Sequence, residues 1–378
     1  MDVIKREVKA RVRPFAFGFS VVSDFELGDA VAMDAVEVLS NPLISLYCLD
    51  HANRSAIFVE TPAEVDLSAA PFFYLAQYEN AQSVISVPYE TLVKLAEMVT
   101  LDSSRLILVH SVGRSGSTLV GAALNAIPGV VGISEPDAIS QLVGVRGFDG
   151  LNEQEAGDLL VACLKLQCKP TANNPKPAAW AIKFRSFCIE LADLLQERFP
   201  HTRNIYLYRN AISYVNSALR AFVPLGMDFE DERYRAYMHT MLSSSVPSIA
   251  KYVKTGGPLL GSATLTAMTW VRSMQCYLQM VDKGVSSMAV RYEDLKTSPR
   301  EAARAIVVYC GFPEVEMESV YRVLEKDSQA GSLMARETLA SESRQLSDAQ
   351  KDDVRRVLAE DAVVKTPEFV APGTWTRP

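Results

Sequence analysis

The residues best suited to chemistry lie between Arg105 and Gly121. An apolar run, Leu106-Ile-Leu-Val-His110, leads into a small-residue loop, Gly113-Arg114-Ser115-Gly116. A helix-like pattern then begins at Ser117-Thr118-Leu119. A strand–loop–helix junction of this kind aims several backbone N–H groups and a helix N-terminus at one point, which suits a phosphate or sulfate group. Ser115, Ser117 and Thr118 add hydroxyl donors, and Arg114 adds a permanent cation. A nucleoside-triphosphatase loop reads G-x-x-x-x-G-K-[ST]. Here no Lys precedes Ser117 or Thr118, and the glycine spacing differs. The loop therefore suits a phosphate-bearing ligand other than a magnesium–nucleoside triphosphate.

Three further positions could act with this loop. The apolar run Asn204-Ile-Tyr-Leu-Tyr ends at Arg209, and Ser217 follows two turns into the next helix-like stretch. An Arg can fork onto phosphate oxygens while a hydroxyl donates beside it. Glu135, in Ile133-Ser134-Glu135-Pro136-Asp137, has two readings. It is either a general base or an acid stabilised by a helix N-terminus. Lys183 closes the buried-looking run Trp180-Ala-Ile-Lys. It either neutralises charge on a leaving phosphate or is a solvated strand-end cation. His110 reads as a core or loop histidine in preference to a catalytic one.

Together these segments resemble sulfotransferases that use 3′-phosphoadenosine 5′-phosphosulfate (PAPS). The R-S-G-S-T form of the loop is closer to the carbohydrate and tyrosylprotein branches than to the cytosolic small-molecule branch. The resemblance covers roughly residues 101–312. It implies that Gly113, Arg114, Ser115, Gly116, Ser117 and Thr118 grip the 5′-phosphosulfate and that Arg209 and Ser217 hold the 3′-phosphate. It also implies that Glu135 removes the acceptor proton, while Arg114 and Lys183 stabilise developing charge. The family's Lys-Thr pattern is absent, since Phe184 follows Lys183. PAPS is the implied donor, 3′,5′-ADP the product, and no metal is required. The segment Arg291-Tyr-Glu-Asp-Leu295 resembles a strand that ends the core in this family; its charges are expected to pair with each other.

The elements that must position these groups alternate. Strands near 105–110, 180–184, 204–208 and 287–292 interleave with helices near 154–167 and 262–282. This predicts an α/β fold, three layers with a central parallel sheet, whose ligand sits at the strand C-terminal edge. The resemblance makes this the P-loop-like sulfotransferase fold, expected over 101–378. Residues 1–100 read as a strand-rich α+β region. Hairpins are expected around His51-Ala-Asn-Arg54 and around Glu79-Asn-Ala-Gln82, and a helix over 91–99. This region either caps the acceptor or forms an oligomer surface, so a homo-oligomer stays open. The Ser-rich stretch 327–345 reads either as a lid or as an inert surface loop.

Composition narrows the partners. A formal charge of −7 over 378 residues opposes bulk binding to nucleic acid. A local Arg/Lys cluster still attracts a small anion. No stretch is apolar enough to span a bilayer, and no apolar segment follows the charged N-terminus, so a cytoplasmic enzyme is expected. The six cysteines lack a CxxC pair and read as buried thiols, and the four histidines form no metal constellation. The expected reaction is sulfuryl transfer from PAPS to a hydroxyl or amine of a small metabolite or natural product. A P-loop kinase or NTPase, and a non-catalytic nucleotide-binding protein of the same fold, are the alternatives.

Overall fold

The computed structural model describes residues 3–377 except 148–151, 314, 316, 331, 333, 336 and 338–343. Two sheets organise it. The first contains β1 (Val3–Arg11), β2 (Phe25–Leu27), β3 (Val31–Met33), β4 (Ile44–Asp50), β5 (Ser55–Glu60) and β6 (Ser83–Pro88). Its order is β2-β1-β6-β5-β4, with β3 also on β1, and every pairing is antiparallel. The second contains β7 (Leu106–Ser111), β8 (Val130–Ser134), β9 (Ala179–Lys183), β10 (Arg203–Tyr208) and β11 (Ser287–Arg291). It is a parallel sheet in the order β11-β10-β7-β9-β8, with helices in the connections. The fold class is α/β, as the alternation predicts.

The sequence of β7 explains its central place. All six of its residues are buried, the continuous burial expected of a strand covered on both faces. From β7 the chain moves outward to β8 and returns through β9; it then crosses to β10 and β11 on the other side. Connections from β7 and β10 thus leave in opposite directions. Such a reversal opens a crevice at the strand C-terminal ends and is where open α/β sheets bind ligands.

The chain divides into two compact units. One comprises Met1–Ile107, Pro128–Lys183 and Leu194–Thr202; the other comprises Leu108–Ile127, Phe184–Asp193 and Arg203–Pro378. In the first, Tyr47, Cys48, Ile57, Val59 and Val84 form a buried cluster on the antiparallel sheet. The helix Glu153–Gln167 packs against the helices Tyr89–Glu97 and Asp137–Arg146. In the second, Tyr206 stacks on Tyr277 at 4.3 Å between ring centroids, which ties β10 to the helix Ser262–Asp282.

Several expectations change. The hairpin around Glu79-Asn-Ala-Gln82 is absent because Phe73–Asn80 is a helix. Its aromatic content suggests a strand, but the buried residues Phe73, Tyr74 and Gln77 follow the spacing of one helical face. The hairpin across residues 51–54 forms as β4–β5. The strand expected to run through 292 stops at Arg291, and Tyr292–Thr297 is a helix. Arg291 pairs with Asp294 at 2.9 Å, whereas Glu293 accepts from the Asn210 amide at 3.2 Å. Within the candidate lid, residues 331, 333, 336 and 338–343 lie outside the described residues. Its described end is held, Arg344 by Asp228 at 2.7 Å and Gln345 by Asn216 at 2.9 Å.

All six cysteines are buried, and no disulfide occurs among the described residues. Burial pushes the Cys163 and Cys310 thiols up to about 12. Among the described residues no helix is long and apolar enough to cross a membrane.

Candidate active site

The second unit carries the loop. Gly113 (φ 81°), Arg114 (φ 49°) and Gly116 (φ 84°) all occupy left-handed backbone. Glycine adopts this conformation freely; a residue with a side chain does so at about 1–2 kcal/mol. Arg114 is held there on both sides. The Val112 amide donates to Leu207 O at 3.0 Å, and the Ser115 hydroxyl donates to the same carbonyl at 3.1 Å. One guanidinium nitrogen of Arg209 donates to Arg114 O at 3.2 Å. The loop is thereby fastened to β10. The Ser115 hydroxyl is committed to that backbone, and the Gly113 amide donates to Ser111 Oγ at 3.3 Å.

The helix Ser117–Asn125 starts directly after Gly116, and no side chain caps it. Its first amides and its positive dipole end are therefore available to an anion. Ser117 is buried at this start and Thr118 is half-buried.

Cations gather beside it. Arg114 Nε donates to Ser217 Oγ at 3.4 Å, so the loop and the helix Ala211–Ala221 meet through these two residues. The Arg209 guanidinium lies over the Tyr292 ring, 4.5 Å from its centroid, and Trp270 Nε1 donates to Arg209 O at 2.9 Å. Arg209 Nε is buried and has no hydrogen-bond partner among the described residues. Burial lowers the Arg114 pKa, as do the charges of Arg209 and Arg220. Burial lowers that of Arg209 too, and Arg220 adds to the effect. Among the described residues no carboxylate lies within 4 Å of Arg114, Arg209 or Arg220. Glu293 offsets the Arg209 charge in part, and guanidiniums that repel one another with no ion-paired carboxylate suit an anion.

The first unit carries the acid–base candidates. Ser134 and Lys183 are opposite each other at the ends of β8 and β9. Glu135 follows with φ 61°, left-handed and directly before Pro136. Both features disfavour that conformation: glutamate carries a Cβ, and a following proline steers its neighbour toward extended backbone. The turn is held by the Glu135 amide, which donates to Lys183 O at 2.6 Å, and by an ion pair between Lys183 Nζ and Glu135 Oε1. The side chains are nearly buried, 5% and 15% exposed, and each charge is compensated by the other.

His110 is buried and stacked on Phe184 at 5.2 Å. Burial lowers its pKa to about 4, which keeps the imidazole neutral at pH 7. Among the described residues no group of three or more His, Cys, Asp or Glu could hold a metal ion.

The structure thus brings Arg114, Arg209 and Ser217 together in one unit, and Glu135 and Lys183 together in the other. Sequence reasoning missed Tyr292, Trp270 and Arg220. Tyr292 carried a signal, since it directly follows the charged end of β11. Trp270 and Arg220 sit inside ordinary helical patterns and carried none.

A left-handed loop, an uncapped helix start and guanidiniums without an ion-paired carboxylate among the described residues lie at a reversal of strand order in this α/β protein, an arrangement suited to an anion. The chain matches the sulfotransferase domain family over residues 104–361 and belongs to that family. It is a sulfotransferase enzyme. Among solved structures it is similar to the sulfotransferase domain from the curacin biosynthetic pathway, at 16% identity and TM-score 0.41, over 68% of this chain and 96% of that one. It is also similar to a sulfotransferase from Alicyclobacillus acidocaldarius, at 12% identity and TM-score 0.41, over 69% and 93%. A sulfotransferase from Mycobacterium tuberculosis H37Rv gives 13% identity and TM-score 0.39, over 70% and 81%. No curated protein sequence matches the chain.

Proposed function

We propose that this enzyme moves a sulfuryl group from PAPS to a hydroxyl, or an amine, of a small-molecule acceptor. The observation that carries the reading is the convergence of Arg114, Arg209 and Ser217 beside an uncapped helix start, with a buried Arg209 Nε that lacks a hydrogen-bond partner among the described residues. These groups fit a ligand with two separate phosphates. Gly113, Gly116, Ser117 and Thr118 would hold the 5′-phosphosulfate, with Ser115 contributing through its backbone. Arg209 and Ser217 would hold the 3′-phosphate, and Arg114 would meet the transferring group.

PAPS supplies an activated sulfur whose leaving group is a phosphate. As the acceptor oxygen bonds to sulfur, the bond from sulfur to the bridging oxygen breaks, and its electron pair leaves with 3′,5′-ADP. Glu135 takes the acceptor proton at its carboxylate. Lys183 orients that carboxylate through the ion pair and answers charge on the leaving oxygen. The strained backbone at Glu135 supports an active role, since such strain concentrates at functional sites. The domain responsible runs from about residue 101, supported by the family match from 104. The antiparallel sheet precedes the family match in sequence and shares a compact unit with residues 128–183.

Thermal unfolding tests the donor reading. 3′,5′-ADP should raise Tm markedly, and AMP and ATP only weakly; Arg209→Ala should remove most of the rise. Equal stabilisation by ATP and 3′,5′-ADP rejects the assignment.

A further inference from the structure

The residues on both sides of Arg209 are tied to one distant stretch, 367–375, of the same unit. Tyr208, which ends β10, is buried. The Ala371 amide donates to its phenol oxygen at 3.2 Å. Thr374 Oγ1 lies 2.8 Å from the same oxygen and donates its own proton to Ala371 O at 2.5 Å. The Tyr208 hydroxyl therefore donates to Thr374, which closes the ring of hydrogen bonds. Beyond Arg209, the Ala211 amide donates to Pro367 O at 3.0 Å, and Asn210 Nδ2 donates to Glu368 Oε1 at 3.3 Å.

The stretch is itself firmly seated. The Ala289 amide in β11 donates to Gly373 O at 3.1 Å, and Ala289 O accepts from the Trp375 amide at 2.8 Å. Thr374 thus bridges Ala289 in parallel, along the edge of β11 that β10 leaves open. Tyr277, on the helix Ser262–Asp282, donates its hydroxyl to Pro372 O at 2.7 Å. Ala371 is buried beneath these contacts.

The ties reach the groups proposed to grip the 3′-phosphate. Asn210 Oδ1 caps the helix Ala211–Ala221 by accepting from the Ser213 amide at 3.1 Å, and Ser217 stands on that helix. Arg209 lies between Tyr208 and Asn210, so its guanidinium extends from backbone fixed before and after it. A grip ordered in advance spares the ligand the entropy of ordering it, and small displacements of such a grip are costly.

We infer that the stretch 367–375 positions the 3′-phosphate grip by fixing Tyr208, Asn210 and Ala211 around Arg209. The inference rests on the proposed function and adds the element that pre-organises its 3′-phosphate site.

Calorimetric titration of the full chain with 3′,5′-ADP and with AMP tests it, because AMP lacks only the 3′-phosphate. The readout is the ratio of the two affinities. Ala211→Pro removes the amide that meets Pro367. Proline suits the first position of a helix, and Asn210 before it is already extended, with ψ 131°. Tyr208→Phe removes the hydroxyl at the centre of the ring of hydrogen bonds. Each should lower 3′,5′-ADP affinity about tenfold and leave AMP affinity within about twofold. A tie that serves stability alone would lower the urea midpoint and leave the ratio as it was, and that outcome overturns the inference. Equal weakening of both nucleotides overturns it too. Tyr208→Phe, the loss of a single oxygen, decides the matter if Ala211→Pro does not fold. If the unaltered protein binds AMP as tightly as 3′,5′-ADP, the donor reading fails and the inference with it.

Discussion

Glu135 combines a rare backbone conformation with a nearly buried carboxylate paired to Lys183. Neither property favours folding, and both persist because β8 and β9 set Ser134 opposite Lys183, which brings the next residue, Glu135, into its amide and side-chain bonds with Lys183. If this carboxylate takes the proton, Glu135→Gln keeps the shape and loses the acceptor. Turnover should fall about 10²–10⁴-fold at saturating acceptor, with 3′,5′-ADP affinity little changed. His110→Asn should do far less, since His110 is buried and neutral. Steady-state kinetics on both variants check this, and near-normal turnover in Glu135→Gln sinks the assignment. Glu135 stood out as a candidate in the sequence through its place before Pro136 and through the family resemblance. Its left-handed backbone was not legible, because that depends on the hydrogen bond its amide donates to the carbonyl of Lys183, a residue 48 positions away.

At the scale of elements, the junction of β7 with its helix was readable because its signals are local: an apolar strand, two glycines, then a helical pattern. The helix Phe73–Asn80 was misread because aromatic residues favour strands when counted singly, and only burial reveals which period is used. β8 was missed since Val130–Ser134 is short and contains a glycine. The order of strands was beyond sequence reading, as pairing between distant segments leaves no local trace. Gly116 is the most demanding position of the loop. A Cβ there would sit 2.8 Å from Leu295 Cδ2, on a backbone at φ 84°. Gly116→Ala should therefore destabilise the protein by about 1–3 kcal/mol and abolish stabilisation by 3′,5′-ADP. Urea unfolding with and without the nucleotide measures both effects. An unchanged midpoint and an intact nucleotide response would show that the left-handed turn is dispensable.

For the molecule as a whole, a net charge of −7 coexists with guanidiniums concentrated on one loop and one helix. Composition opposes polyanions in bulk; the local Arg/Lys cluster expected from the motifs forms in part, with Arg114 beside Arg209 and Lys183 paired instead with Glu135. Stability should also depend on pH through His110. Its folded pKa of about 4 lies below the ordinary 6.5, so the unfolded chain binds the proton more readily. The stabilisation is complete above about pH 6.5 and is lost as pH falls through 4, amounting to about 3 kcal/mol for this shift. His51 and His239 are lowered too and act in the same direction. Urea midpoints should drop between pH 7 and pH 5, and His110→Phe should flatten that slope. A slope unchanged by the substitution would assign it to other groups.

The buried thiols give the protein an internal recorder. Cys48, Cys163 and Cys168 belong to one unit, and Cys188, Cys276 and Cys310 to the other. A thiol-modifying reagent reacts with thiolate, and a buried thiol held protonated becomes reactive only when its surroundings open. Labelling followed by peptide mass spectrometry should therefore time the opening of each unit separately. 3′,5′-ADP should slow labelling of Cys188, Cys276 and Cys310 more than that of the other three, because the residues proposed to hold it lie in their unit. Equal protection of all six would mean that the two units open as one.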